Sequence, residues 1–402
     1  MSTGAEVPAA EGGPASAPVS STRMRGAARG ARVVALVAVA FVLAMVAARW
    51  DSVTGFTSLL RFGENYAARQ IPAIDDLPLA LKPASGYDGQ FYGMMAVTPN
   101  TGDPALLAAL DNPGYRLRRI LLPGLAHVLG AGDAWRTLHI YAAVNVVAWL
   151  ACAWLLWRIL EPQTWRETAA WAGCVLGLGV LDSVRMALTD LPALVLTLAA
   201  VQLARQARPR SAAALLAVTA LARETAILSV AALDSRSWTD RASWVGHLRR
   251  GFLVALPVAA WTIWLFGRVP SADPLGRANF DWPGAAIVEH GVRWISALAA
   301  GDFDSRHTFG LLAIVSFAWQ SISLLRQGRS DSPWVRMALP FALLFWILGD
   351  AVWHGYWAVA RACVPMTIAY NLTLPLDRSW SWRWALGNLC MFHGIWRFLP
   401  ES

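Results

Sequence analysis

A carboxylate and a phenol lie four residues apart in segment 86–92, which reads GYDGQFY. If the segment is helical, Asp88 and Tyr92 share one face, because side chains at positions i and i+4 are neighbours. A carboxylate beside a phenol can act as a general base at a membrane surface. The alternative is structural: Asp88 caps a short helix, a position that Asp favours.

A second cluster, in segment 111–119 (DNPGYRLRR), places three arginines within four residues before the apolar stretch 120–129. Arginine suits phosphate recognition, because its planar guanidinium group donates paired hydrogen bonds. We therefore expect Arg116, Arg118 and Arg119 to bind a phosphate group. The alternative is that these side chains reach toward lipid headgroups, which also present phosphate but less specifically.

A third pair of ionisable residues, Arg223 and Glu224, lies inside the apolar run 211–233. Charged residues at membrane depth are costly and usually functional, although a mutual ion pair that only holds the segment together is the alternative. Both flanks of the run are rich in arginine, so a single crossing would put one flank on the wrong side. We predict two half-helices with a tip at 221–224 and a cavity there, since irregular backbone at that depth needs protein or water around it.

Further candidates lie where apolar runs are interrupted. Asp190 precedes Pro192, and a loop with the proline in the first helical turn is the simpler interpretation. Arg361 stands just inside a late apolar run and is another phosphate candidate. His354, nearby, is more typical of an interfacial residue than of a ligand. The 7 histidines have no metal-ligand spacing, so the sequence predicts no metal site.

The chain that carries these residues is 402 residues long, and 56% of them are hydrophobic and 15% charged. Apolar runs recur from residue 33 onward, which excludes a soluble cytoplasmic enzyme, a disordered chain and a secreted disulfide scaffold. The predicted fold class is all-α, a polytopic membrane protein of about 9–11 spans or half-spans with a long first extracytoplasmic loop. Membrane topology explains the net charge of +8 better than nucleic-acid binding does. The four cysteines, all within apolar runs, are predicted to be buried thiols.

We divide the chain into a disordered cytoplasmic tail (1–32) and a single transmembrane domain (33–400). After a first span at 33–48, segment 50–119 is polar, rich in Pro and Gly, and too long for a simple connector. It is predicted to be a catalytic loop with short helices of its own. Further spans are predicted near 137–157, 169–183, 188–204, 251–268, 308–325, 333–349, 356–376 and, more weakly, 384–399.

Arginine-rich connections indicate the orientation, because short cytoplasmic loops are enriched in positive charge. This rule puts the N-terminus on the cytoplasmic side of a plasma (inner) membrane. The segments predicted to lie outside are 50–119, 184–187, 269–307 and 350–355. A carboxylate, several arginines and a cavity then share the extracytoplasmic side. A lipid-linked phosphate suits such a site better than a cytoplasmic nucleotide does.

In the order and spacing of its motifs the chain resembles the GT-C glycosyltransferases, polytopic enzymes that take sugars from polyprenyl-phosphate carriers. Residues 87–92 are similar to the aromatic–Asp–Gly–x–x–Tyr pattern of GPI-type mannosyltransferases. Tyr115-Arg116 followed by 122–126 is similar to their Tyr-Arg-Tyr-x-Pro-Leu-Leu-Ala element. The closer resemblance is to a bacterial family linked to cell-surface glycopolymer formation, through the elements at 87–92, 111–116, 189–192 and 222–225.

This resemblance implies an inverting transfer, in which an acceptor hydroxyl attacks the anomeric carbon of a polyprenyl-phosphate sugar while Asp88, assisted by Tyr92, takes the proton. Arginines of 116–119, Arg223 or Arg361 would stabilise the departing phosphate. Asp51 is a rival base, because the acid of these enzymes usually follows the first span closely. The other implied substrate-binding residues are Tyr87, Gln90, Asp111, Tyr115, Asp190, Glu224 and His354.

The implied partners are the lipid-linked sugar, membrane lipid, and a glycan, lipid or protein acceptor outside the membrane. No cofactor is implied, and a divalent cation is compatible with the chemistry but not required by it. A transporter or flippase of lipid-linked sugars is the main alternative, although such folds commonly contain inverted repeats and the sequence has none that we can find. A catalytically silent scaffold of a glycan-assembly complex is the second alternative.

Overall fold

A computed structural model of the protein describes residues 21–233, 241–269, 276–327 and 332–400. The first helix, α1 (Ser21–Ala47), exposes apolar side chains such as Leu36 and Val37, as expected of a helix that faces lipid. Because α1 begins at Ser21, the prediction of a disordered tail is wrong for residues 21–32. Residues 1–20, the rest of that predicted tail, lie outside the described ranges.

Segment 50–119 folds into short elements. It contains 3-10 helices at Thr57–Leu60, Glu64–Arg69 and Pro72–Ile74. Two short parallel strands, β1 (Phe62–Gly63) and β2 (Leu81–Lys82), pair Phe62 with Leu81. Three α-helices follow: α2 (Asp88–Val97), α3 (Pro104–Ala109) and α4 (Pro113–Arg116). The predicted short helices are therefore present, while the side of the membrane on which they lie stays a prediction.

The rest of the described chain is helical. In its first half the elements are α5 (Leu121–Gly130), α6 (Ala134–Leu160), α7 (Trp165–Val175), α8 (Leu178–Arg185), α9 (Asp190–Arg205), α10 (Pro209–Ala220) and a 3-10 segment (Glu224–Leu233). In its second half they are α11 (Arg241–Phe266), a 3-10 turn (Arg277–Asn279), α12 (Ala285–Ala299), α13 (Ser305–Arg326), α14 (Pro333–Ile347), α15 (Asp350–Trp353), α16 (Tyr356–Ala362), α17 (Val364–Thr373), α18 (Trp380–Gly387) and α19 (Leu389–Phe398). The all-α class is confirmed.

Within the described residues, four helical stretches are long and apolar enough to cross a membrane: Arg29–Ala47, Ala134–Leu160, Val245–Phe266 and Ser305–Arg326. The chain is thus a helical membrane protein by length and composition. Three other predicted spans are broken helices: 169–183 divides into α7 and α8, 356–376 divides at Cys363 into α16 and α17, and 384–399 divides at Asn388 into α18 and α19. A proline in the first turn of α17 explains the second break, because its ring cannot continue the preceding helix.

The apolar run 211–233 forms two helices joined by a turn. Helix α10 ends at Ala220, and the 3-10 segment begins at Glu224 and packs back against α10, α9 and α14. The turn therefore falls at 221–223, where the sequence predicted the tip. All four cysteines are buried free thiols, as predicted.

Helix α2 lies against α5 and α6, so segment 50–119 is packed onto the longer helices. Gly89 permits this approach, because a Cβ at that position would stand 2.3 Å from the Met186 carbonyl oxygen. Gly86 turns the chain just before α2 with φ +66, a conformation that favours glycine. Close packing at these two glycines fixes where the first turn of α2 points.

Candidate functional site

Asp88 occupies the first turn of α2, and its carboxylate faces two arginines. Its Oδ1 accepts a hydrogen bond from Arg116 Nη2 at 2.9 Å, and its Oδ2 lies 3.7 Å from Arg361 Nη1. The residue that precedes the helix is Tyr87, and no side chain caps its N-terminus. The capping interpretation of Asp88 is therefore wrong. Its carboxylate is directed at guanidinium groups instead.

Asp88 is held in its ionised form. Burial by itself would raise the pKa of this carboxyl, but the charges of Arg116 and Arg361 outweigh burial. The pKa of Asp88 consequently lies well below its usual range. At neutral pH the group is a carboxylate that can accept a proton or a hydrogen bond but has none to donate.

Arg116 is positioned by Asp111. The guanidinium Nε and Nη2 of Arg116 donate to the two carboxylate oxygens of Asp111 at 2.8 and 2.7 Å. Asn112 caps the short helix α4 by accepting a hydrogen bond from the Tyr115 amide at 3.1 Å, which fixes the turn that carries Arg116. The role of Asp111 in the structure is thus to orient an arginine toward Asp88.

Arg119 joins the first, second and third sequence clusters. It donates to Glu224 through Nε and Nη2 at 3.0 and 2.8 Å, a bidentate pair. It also donates to the hydroxyl oxygens of Tyr92 and Tyr115, both at 2.7 Å. Arg118 lies 3.8 Å from the same Glu224 carboxylate. The 221–223 turn is therefore connected to segment 50–119.

Arg223 has a different partner, Asp190, at 2.5 Å. The interpretation that Arg223 and Glu224 form a mutual ion pair is therefore wrong, since each binds a residue on another element. Asp190 is buried and also lies 3.4 Å from Arg361 Nη1. Asp190 is thus more than a loop residue at the start of α9, because it links Arg223 to the arginine beside Asp88.

Tyr87 connects Arg361 to an aromatic residue that the sequence reasoning missed, Trp357. The Tyr87 hydroxyl oxygen accepts hydrogen bonds from Arg361 Nη2 at 2.8 Å and from Trp357 Nε1 at 3.0 Å. Burial raises the pKa of Tyr87 to about 12, despite the opposing charge of Arg361. Tyr87 therefore stays a neutral phenol, and its own O–H remains available to donate.

Nine ionisable side chains make up what we call the charged cluster: Asp88, Asp111, Asp190, Glu224, Arg116, Arg118, Arg119, Arg223 and Arg361. Five guanidinium groups face four carboxylates, so the cluster has one positive charge in excess. Every arginine in it has a carboxylate within 4 Å, whereas the sequence predicted arginines free for phosphate. Two buried donors, Arg118 Nε and Arg361 Nε, have no hydrogen-bond partner among the described residues.

Three sequence candidates do not join the charged cluster. Asp51 is exposed and accepts from the backbone amides of Val53 and Thr54, within its own turn. His354 is exposed, and its carbonyl oxygen accepts from Arg306. Gln90 is buried, and it accepts from the Gly63 amide and donates to the Ser85 carbonyl, so it stabilises the loop before α2.

The cavity predicted at the 221–224 tip is small. Its volume is about 20 Å³, lined by Asp190, Arg223, Thr225 and Arg361 among others, which is room for about one water molecule. A cavity is therefore present at the predicted tip, and its volume suits a water molecule and not a sugar or a phosphate group. A much larger cavity lies elsewhere and has Trp357 among its lining residues.

That larger cavity measures about 630 Å³ and includes four arginines, Arg61, Arg185, Arg306 and Arg397. We call it the arginine cavity. The sequence analysis did not identify it, because its residues come from five separate parts of the chain. One signal was present: Arg397 is a charged residue in the largely apolar helix α19.

Comparisons with protein-family models, curated proteins and solved structures give no match to this chain. Its class is therefore defined by its own fold and site: a helical membrane protein with a partly buried cluster of arginine–carboxylate pairs where short loops meet the longer helices.

Proposed function

We propose that the protein is an integral membrane glycosyltransferase that moves a sugar from a polyprenyl-phosphate carrier to an extracytoplasmic acceptor. The observation that carries the proposal is the carboxylate of Asp88, ionised and held between Arg116 and Arg361 at the junction of segment 50–119 and the helices. Buried charged groups that converge in this way are typical of catalytic sites. The resemblance of the motifs to GT-C enzymes supplies the reaction class.

The two oxygens of Asp88 have different environments. Oδ1 is bonded to Arg116 at 2.9 Å, whereas Oδ2 lies 3.7 Å from Arg361, beyond hydrogen-bond distance. Oδ2 is therefore the oxygen that an acceptor hydroxyl would reach. The hydroxyl oxygen forms a bond to the anomeric carbon, its proton passes to Oδ2, and the bond from that carbon to the phosphate oxygen breaks.

The low pKa of Asp88 makes it a weak base before substrate binds, so the surrounding charges must change during transfer. As the phosphate leaves, it gains negative charge that competes with Asp88 for the arginines. A weaker hold of Arg116 and Arg361 on Asp88 raises its proton affinity at the moment when the acceptor proton is released. Electrostatic stabilisation of the leaving group and general-base catalysis are then coupled through the same guanidinium groups.

The test is transfer by the purified full-length protein in detergent, with a short polyprenyl-phosphate sugar as donor. We expect release of polyprenyl phosphate by the wild type and a loss of about 10²–10⁴-fold in kcat on Asp88→Asn, which keeps the shape and removes the base. Asp51→Asn is the matched control and should transfer at the wild-type rate, because Asp51 is bonded within an exposed turn.

The opposite results are informative. If Asp88→Asn releases polyprenyl phosphate at the wild-type rate, Asp88 is not the base. A flippase would release no polyprenyl phosphate at all but would move the lipid-linked sugar across a vesicle membrane. A scaffold would do neither, and surface glycan would persist in cells that carry Asp88→Asn.

A further inference from the structure

Two buried polar side chains lie four positions apart on helix α6. Tyr141 and Asn145 are each 0% exposed, and their spacing puts them on one face of the helix. The Tyr141 hydroxyl and both amide atoms of the Asn145 side chain have no hydrogen-bond partner among the described residues. Buried groups of this kind are nearly always paired in proteins, either with protein or with ordered water. This face of α6 therefore indicates a bound ligand.

The same face of α6 lies next to the charged cluster. Leu138, one turn before Tyr141, approaches α2 so closely that a Cβ at Gly93 would stand 3.2 Å from one of its methyl carbons. Helix α6 also packs against α9, which begins at Asp190. The side chains that act electrostatically on the Tyr141 hydroxyl are Tyr92, Asp190, Asp88 and Arg119. Three of these belong to the charged cluster, so the polar face of α6 adjoins it.

Tyr92 provides a further donor beside Tyr141. Its hydroxyl oxygen accepts from Arg119 Nη1 at 2.7 Å, so its own O–H group is left to donate. Tyr92 is 1% exposed, and no described residue accepts from this O–H group. Water is a suitable partner, because one molecule can accept from Tyr92 and also bond to the Tyr141 hydroxyl.

The start of α9 carries a third such side chain. Thr189 is 0% exposed, and its hydroxyl has no partner among the described residues. The next residue, Asp190, lines the cavity of about 20 Å³ together with Thr225 and Arg361. The buried Nε of Arg361 also has no hydrogen-bond partner within the described chain. Asp190 thus adjoins both the Tyr141 hydroxyl and a cavity with room for about one water molecule.

We propose that bound water molecules extend along the start of α9, from the cavity beside Arg361 to Tyr141 and Asn145. Water suits these groups because it both donates and accepts, and the groups include an amide, two hydroxyls and a guanidinium N–H. A cation is disfavoured, since the charged cluster already has one positive charge in excess. Bound water also lowers the cost of burying these charges, because it replaces part of the solvation that they lose. The proposal is independent of the proposed function.

The first test detects bound water directly. X-ray irradiation of the purified full-length protein in detergent makes hydroxyl radicals from bound as well as bulk water, and these radicals oxidise the side chains beside them. In water labelled with heavy oxygen, we expect labelled oxygen on Tyr141, although this residue is fully buried. Trp149 is the matched control on the same helix, because it is also 0% exposed and its Nε1 donates to the Val175 carbonyl at 2.9 Å. Trp149 should stay unlabelled, and labelling of Tyr141 no greater than that of Trp149 overturns the proposal.

Two variants remove partners of the water and leave Tyr141 in place. Asn145→Leu and Thr189→Val each remove polar atoms and keep the approximate shape of the side chain. Each should at least halve the label on Tyr141 and lower the midpoint of unfolding by a denaturing detergent. If these groups had no ligand in the folded protein, apolar replacements would raise that midpoint, because the desolvation cost of an unpaired group would be removed. A raised midpoint for both variants, or unchanged labelling of Tyr141 in both, overturns the proposal.

Salt distinguishes bound water from a bound cation. We expect equal unfolding midpoints of the wild type in sodium chloride and potassium chloride at equal ionic strength. A higher midpoint in sodium chloride that Asn145→Leu abolishes would assign the site to a sodium ion and overturn the proposal. Neither labelling nor unfolding requires sugar transfer, so a wild type that transfers no sugar leaves these results decisive for the water site. An unlabelled Tyr141, in turn, leaves the proposed function to the test of Asp88→Asn.

Discussion

The ion pair between Arg119 and Glu224 is expected to couple the 221–223 turn to segment 50–119 energetically. The perturbation is a double-mutant cycle with Glu224→Gln, Arg119→Gln and the two together. Glu224→Gln keeps the shape of the side chain and removes its charge, whereas Arg119→Gln removes the charge and also shortens the side chain. The cycle then measures the coupling free energy between the two charges, separately from the effect of each charge on folding.

The magnitude follows from the geometry. Two hydrogen bonds of 3.0 and 2.8 Å join the pair, and the side chains are only 4% and 25% exposed, so screening by water is limited. Hydrogen bonds to charged groups contribute about 1.5–3 kcal/mol each, and removing one partner of a buried pair costs about 3–5 kcal/mol. Since Glu224 is a quarter exposed and Gln retains one acceptor, we expect a coupling energy of about 1.5–3 kcal/mol.

The assay is the free energy of unfolding in mixed micelles, titrated with a denaturing detergent. The matched control is the pair Arg293–Glu289, at 2.6 Å but 52% and 56% exposed on α12. An exposed pair four residues apart on a helix is worth about 0.3–0.5 kcal/mol. A coupling energy for Arg119–Glu224 no larger than that of the control would refute the reasoning, because burial and bidentate geometry would then add nothing.

Two further predictions follow from the site and the loop that carries it. Because the pKa of Asp88 is lowered, its carboxylate stays ionised as the pH falls from about 7 to about 5. We therefore expect that protonation of Asp88 does not lower kcat/KM between these pH values. Arg116→Gln removes one of the charges that lower this pKa, so the decline of kcat/KM at acidic pH should begin at a higher pH in the variant. If the decline of kcat/KM at acidic pH begins at the same pH in the wild type and in Arg116→Gln, Asp88 is not the group that titrates there. Gly89→Ala should destabilise the protein by about 1–3 kcal/mol, because its Cβ would meet a backbone carbonyl oxygen at 2.3 Å. Gly124→Ala, a helical glycine with open space around it, should be neutral or stabilising by up to about 1 kcal/mol in the same unfolding assay, and equal effects of the two would contradict the packing argument.

Local chemistry explains why several parts of the fold could be predicted from the sequence. Apolar content over 20 or so residues is a sufficient signal for a membrane helix, and the stretches 137–157, 251–268 and 308–325 lie within the three long helices α6, α11 and α13 or overlap them closely. The turn at 221–223 was also predictable, since charges inside an apolar run and arginines on both flanks are incompatible with one straight span. The break within 169–183 was not, because a broken helix and a continuous one have the same mean hydropathy, whereas Pro365 was a sequence signal for the break within 356–376.

The sequence by itself determined which ionisable residues stand in unusual places: Asp88, Arg116, Asp190, Glu224 and Arg361. Burying an ionised side chain is costly, so its position in an apolar or loop context is informative without any structure. Only the tertiary structure decided which charge compensates which. Arg119 pairs with a carboxylate 105 positions away and Arg361 with one 171 positions away, and no spacing rule reaches across such separations. The arginine cavity could likewise be found only in the tertiary structure. Its arginines come from separate parts of the chain, and only the packing of those parts brings them together.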